Sequence, residues 1–158
     1  MQKASKIGII VPHLGTCQVS HYAVRYVNYI LQKTSEFDFV IFYEELVKPK
    51  MRPMCAAMNM SEIWSFDGTL ISCNINNTIA AIKAISPQKK IFYAWDLEWI
   101  RPGKNDYLHN MQAYRSPEIE LVARSPSHAA AIAKYCNRNP DTIINNFNLI
   151  DIIDYSMK

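Results

Sequence analysis

The stretch of this 158-residue chain with the most chemistry in it is Phe92-Tyr93-Ala94-Trp95-Asp96-Leu97-Glu98-Trp99, an apolar run that ends in two carboxylates set between two tryptophans. A carboxylate just past a strand end stands where ligands collect in open α/β sheets, so Asp96 is a candidate general base for a hydroxyl and Glu98 a candidate substrate contact. Trp95 and Trp99 offer flat faces on which a sugar ring or a base can stack. The same residues have structural uses: tryptophans fill cores and rims, and the two acids can cap the next loop or pair with Arg101. A second group is Pro12-His13-Leu14-Gly15-Thr16. Histidine titrates near neutrality, which makes His13 a candidate catalytic group and His21 a lesser one, although both can simply bond loop backbone or face water. Gly15, with Thr16 beside it, lets the backbone approach a substrate ahead of a helix N-terminus. The third group is Ala123-Arg124-Ser125-Pro126-Ser127-His128, followed downstream by Asn145-Asn146-Phe147-Asn148. Arg124, Ser127 and Asn145 are candidate substrate contacts there. Their structural alternatives are an ion pair, a helix cap and a turn with left-handed backbone.

The elements that must carry these groups follow from hydrophobic periodicity. Residues 7–11 form a short β-branched run stopped by a turn, as expected of a strand buried on both faces. Ser20 then caps a helix whose apolar positions Ala23, Val24, Val27, Ile30 and Leu31 keep the 3.6-residue repeat. Further strands are expected at 37–42, 68–73, 90–95, 119–123 and 141–145. Helices are expected at 54–63, at 77–85 with Ile79, Ile82 and Ile85 on one face, at 105–114, from a Ser127 cap to about residue 136, and at 149–155. The connection 44–54 is a loop carrying Lys48, Lys50 and Arg52. Strands alternating with helices call for a single α/β domain over 1–158, a doubly wound, mostly parallel sheet of Rossmann-like type with helices on both faces. Ligands in such sheets sit beyond the carboxyl ends of the strands, which directs attention to the loops after the first, fourth and fifth.

Composition excludes several function classes. With 49% hydrophobic residues and 17 basic against 14 acidic side chains, net +3, the chain has a core to bury and only a mild basic excess. Its basic residues are scattered, with no arm interleaved with aromatics, which argues against nucleic acid. The one glycine of the first loop does not make the three-glycine dinucleotide fingerprint, and no phosphate-binding P-loop pattern occurs, so no nucleotide cofactor is expected. Cys17, Cys55, Cys73 and Cys136 are too far apart for a zinc or redox pair, so no metal is expected and the thiols read as reduced and buried. The first residues run straight into the first strand without a leader pattern, and no apolar run reaches membrane length. Both features fit a cytoplasmic protein.

Residues 6–11 with their His-Gly loop, the Trp95-Asp96-Leu97-Glu98-Trp99 strand end, and residues 121–148 together resemble the N-terminal, acceptor-side Rossmann-like domain of GT-B glycosyltransferases, over nearly the whole chain. The resemblance implies a transferase half that faces a glycan or other hydroxyl acceptor, with Asp96 and His13 on the acceptor side or in catalysis. It also implies a nucleotide-sugar as donor. In that family a second domain holds most of the donor, and the chain ends before one begins, so the donor site is expected from a separate subunit or from a homo-oligomer. The alternatives are a non-catalytic binding or assembly module on the same fold and, more weakly, a small nucleotide-binding domain.

Overall fold

The structure is a computed structural model that describes residues 4–158. The expectation about a leader, drawn over residues 1–6, falls in part on residues 1–3, outside the described residues.

Strand β1 (Ser5–Val11) leads to helix α1 (Gln18–Leu31), β2 (Phe37–Tyr43) and β3 (Ala56–Asn59). Strand β4 (Thr69–Ser72), helix α2 (Ile75–Lys83), β5 (Lys89–Ala94) and α3 (Tyr107–Tyr114) follow. The chain closes with β6 (Glu120–Ala123), α4 (Pro126–Cys136), β7 (Thr142–Ile143) and α5 (Leu149–Ser156). The seven strands form one sheet in the order β3-β2-β1-β4-β5-β6-β7, and every pairing is parallel. Parallel neighbours need crossover connections, and these cover both faces of the sheet. Along β1 the side chains of Ile7, Ile9 and Val11 enter the core shared with α1 and α5, while Ile10 enters a second core with Phe42, Phe66 and Ala81. On that second side Phe92, Ala94, Leu121 and Ala123 pack against α2, α3 and α4. The Rossmann-like architecture is therefore as expected, with one more strand and no antiparallel member. No helix of the described residues is long and apolar enough to cross a membrane.

Four local expectations change. Residues 54–63, expected as a helix, hold the edge strand β3 and then a 3-10 turn, Met60–Ser65, whose cap Asn59 accepts the Ser61 N–H. Pairing of Val40 to Tyr43 with Ala56 to Asn59 supplies β3 with sheet hydrogen bonds that outweigh alanine's helix preference. Helix α2 begins at Ile75 under an Asn74 cap and ends at Lys83, so Ile85 lies outside it, 91% exposed, and not on its apolar face. Helix α4 is capped by Ser125, whose Oγ accepts the His128 N–H, and not by Ser127. Pro126 supplies the first helical residue, which sets the cap one position before it. Ser20 lies inside α1, where its Oγ donates to the His13 carbonyl; the residue at the cap position is Cys17.

The last strand and helix are tied to the sheet centre by one buried phenol. Tyr93 Oη donates to the Ile144 carbonyl at 2.6 Å and accepts the Phe147 N–H at 2.8 Å. That accommodates a backbone bearing left-handed φ at Asn146 and Phe147. Burial holds the Tyr93 phenol protonated, pushing its pKa up to about 12. Tyr93→Phe leaves both backbone groups without their partner inside the protein, and we expect it to cost about 1–3 kcal/mol. The measurement is the urea midpoint at constant slope; an unchanged midpoint would show that the tail is held by packing alone.

Candidate functional site

The strand order reverses at β1, which has β2 on one side and β4 on the other. Crossovers leave this point toward opposite faces, and the carboxyl ends of β1 and β4 part to leave a crevice. A cleft of about 570 Å³ lies there. It is walled by Pro12 after β1, the first turn of α1, Glu44 after β2, Cys73, Asn74 and Asn76 around the start of α2, and residues between Trp95 and Lys104 after β5.

Two helix N-termini meet at this cleft and differ in state. In α2 the Asn74 side chain accepts the Asn77 N–H at 2.8 Å, and Glu98 Oε2 accepts the Ile75 N–H at 2.7 Å. A carboxylate therefore already neutralises that positive helix end. In α1 the cap residue Cys17 makes no side-chain capping bond, and the first turn holds no acid. Among the described residues no acceptor closes on the amides of Gln18 and Val19, which line the cleft and leave it a pair of free donors.

Three carboxylates face the cleft in three different situations. Asp96 is ion-paired to the Arg101 guanidinium. Glu98 is committed to α2; burial raises its pKa, while the Ile75 N–H and Lys104 act the other way. Glu44 follows β2 and is fixed through its backbone, its N–H reaching the Val11 and Pro12 carbonyls. Its carboxyl is also raised, first by desolvation in the cleft and next by Glu45, with Asn77 and Lys104 opposing. Among the described residues Glu44 has no ion pair within bonding distance. The nearby Asn77 amide is 1% exposed; it closes no hydrogen bond of ordinary geometry and approaches the Glu44 carboxyl only as a weak donor. Behind this wall the Arg124 guanidinium stacks 4.3 Å from the Trp95 ring and donates to the Trp95 carbonyl at 3.1 Å. Beside it, burial and Arg124 lower the pKa of His128.

The sequence-selected residues divide into two sets. Trp95, Asp96 and Glu98 line the cleft, with Trp95 8% exposed, so that little of its ring is open to a ligand. Arg124 reaches it indirectly, through Trp95. His13 is outside the lining: its Nδ1 accepts the Gly15 N–H at 3.1 Å, which fixes the loop. Gly15 is buried, and a Cβ there would stand 2.9 Å from Val47, so its lack of a side chain serves packing of the 44–54 loop. Thr16 is exposed, and Ser127 is exposed with its Oγ 3.0 Å from that of Ser125. Trp99 stacks on Tyr135 at 4.0 Å and 6°, inside the aromatic packing of α3 and α4. Asn145 lies in an exposed 3-10 turn beyond β7, away from the reversal point.

Sequence reasoning missed Glu44, Asn74, Asn76, Asn77 and Lys104. The signal for Glu44 was its position directly after a strand, and for Asn74 its cap position before an apolar helix; strand order, which sequence did not supply, is what brings the two together. Among the described residues no group of three or more metal-ligating side chains occurs. Cys17 and Cys55 are half-buried and Cys73 and Cys136 buried. Burial pushes the Cys55 thiol up to about 11 and raises Cys73 further, which keeps both protonated and weakly nucleophilic at neutral pH.

The raised pKa of Glu44 has a sign that can be measured. A folded-state pKa above the unfolded value means that the native state holds the proton more tightly, so this contribution is present at low pH and is lost as pH rises through the folded-state pKa. Glu44→Gln is therefore expected to gain stability relative to the parent protein as pH rises above about 4, the ordinary carboxylate value. Urea midpoints of both proteins from acid to neutral pH read this difference; a difference that does not change with pH contradicts it.

Comparison of the chain with protein-family profiles, with curated proteins and with solved structures found no match.

Proposed function

We propose that this chain is the acceptor-facing half of a GT-B-type sugar transferase, holding a hydroxyl-bearing acceptor in the reversal-point cleft while a separate subunit or a second copy presents a nucleotide-sugar. The observation that carries this reading is the combination, in one cleft, of three carboxylates, Trp95 and the uncapped start of α1. A hydroxyl is a weak nucleophile, and a carboxylate held against it can take its proton as the new glycosidic bond forms. Bringing two substrates into one oriented site supplies much of the rate enhancement, so the acceptor half works only with the donor half in place.

The test is calorimetric titration of the protein with a panel of nucleotide-sugars and free nucleotides, with mass in solution measured alongside. Saturable binding of a nucleotide-sugar by an oligomer, with transfer to a glycan, is the expected result. Asp96→Asn, which breaks the Arg101 ion pair, is expected to lower that transfer rate by about tenfold or more through misplacement of the cleft wall. An unchanged rate in a folded variant would remove Asp96 from the reaction.

A binding or assembly module is the second reading. It is favoured by Ile100 and Leu108, 73% and 79% exposed on segments flanking the cleft, which suit a protein partner. Binding of a protein or glycan with no turnover under any donor would support it.

A further inference from the structure

We infer that Glu44, Lys104 and Asn77 form a hydroxyl-binding subsite for an uncharged polyol, and that Glu44 is the residue that takes the proton of the acceptor hydroxyl. The proton-transfer half of this inference rests on the proposed transferase reading; the binding half does not. Of the three cleft carboxylates, Asp96 is held by Arg101 and Glu98 caps α2, so their oxygens are already committed. Glu44 alone among them has no ion pair within bonding distance among the described residues, and the Asn77 amide approaches it only as a weak donor. Lys104 lines the same cleft and acts electrostatically on both Glu44 and Glu98, yet it has no ion pair within bonding distance among the described residues.

An unpaired carboxylate and an unpaired ammonium in one cleft select the group that suits both. A hydroxyl donates to the first and accepts from the second. A phosphate or carboxylate at this point is attracted by Lys104 but repelled by Glu44 and Glu98, and a cation the reverse, so the mixed charge favours neither. The Asn77 amide gives an independent indication of a ligand. A buried amide with no hydrogen bond of ordinary geometry is rare in a folded protein, and this one only weakly approaches Glu44, whose charged form it favours. With a hydroxyl on Glu44, the carboxylate is drawn to a fixed position in which Asn77 Nδ2 can donate to its second oxygen. Asn77 is on this account a positioning residue.

In the transfer step the acceptor O–H bond breaks and its proton passes to a Glu44 carboxylate oxygen. The acceptor oxygen bonds to the anomeric carbon of the nucleotide-sugar as the bond from that carbon to the diphosphate oxygen breaks. The electron pair of that bond leaves with the nucleoside diphosphate.

The experiment is an NMR titration of the protein with methyl pyranosides of glucose, galactose and mannose, repeated across pH. The parent protein, Glu44→Gln, Lys104→Met and, as control, Glu36→Gln on an exposed acid outside the cleft lining are compared, each checked for folding by its thermal transition. We expect a pyranoside to shift Glu44 and α2 resonances, with affinity rising as pH passes through the Glu44 titration. Besides Glu44, the groups that shape this pH dependence are Glu45, Lys104, Glu98 and the Asp96–Arg101 pair. Glu44→Gln and Lys104→Met should each weaken binding by about tenfold, the loss of one hydrogen bond to a charged group. In Glu44→Gln the pH dependence should also disappear. Equal affinity in Glu44→Gln, absence of binding by all three pyranosides, or tighter binding of a zwitterion such as glycine would each overturn the subsite. If pyranosides bind as expected and no nucleotide-sugar is ever turned over, the transferase reading fails and the subsite stands; turnover undiminished in Glu44→Gln overturns the proton-transfer role alone.

Discussion

Strand β1 must satisfy two demands at once: its backbone is hydrogen-bonded by parallel neighbours on both edges, and its side chains are covered on both faces. Only a run of small and β-branched residues meets the second demand, and only crossover connections meet the first. Gly8 shows how little room is left, since a Cβ there would stand about 3 Å from the rings of Phe42 and Phe66 and from Leu70. Because connections on the two sides of β1 must leave toward opposite faces, the loops at its carboxyl end diverge. The cleft is the space this leaves. Its existence is a consequence of topology before any of its side chains is considered.

The electrostatic character of the cleft follows from how the two helix ends are filled. Glu98 occupies the N-terminus of α2, leaving that helix without free attraction for an anion, whereas α1 starts on a cysteine that makes no cap. A carboxylate used as a cap and one paired to arginine are both stabilising and both chemically quiet. Glu44 has neither assignment. Partly desolvated, it has as complement only a weak approach from the buried Asn77 amide and the field of Lys104, with no ion pair within bonding distance among the described residues. Local unsatisfied polarity of this kind lowers stability and is expected where a ligand completes the arrangement.

Much of the aromatic content near the cleft works as scaffold. Trp99, Tyr114 and Tyr135 form edge and stacked contacts that hold α3 and α4 on the sheet, and Tyr93 fastens the tail through two backbone bonds. The Trp95 ring packs against Tyr22 and under the Arg124 guanidinium, which limits what else it can stack on. The proposed chemistry is therefore polar in its contacts and rigid in its support.

What the sequence determined by itself was whatever depends on near neighbours along the chain. The β-branched run at 7–11, the 3.6-residue repeat of Val24, Val27 and Ile30, and the strand ending in Trp95 and Asp96 each carry their own periodicity, so the α/β alternation and the parallel sheet were legible. The caps at Ser125 and Cys17 and the strand at Ala56–Asn59 were misjudged because a proline, an inward-turned serine and an edge pairing overrode local preference. Strand order was decided only in three dimensions, since parallel pairing joins segments tens of residues apart and leaves no mark in either one. That order puts Glu44, Asn77 and Lys104 in one place and leaves His13, Thr16, Ser127 and Asn145 off its walls. A carboxylate after the second strand and an asparagine after the fourth look like ordinary surface residues until the sheet sets their strands on either side of β1.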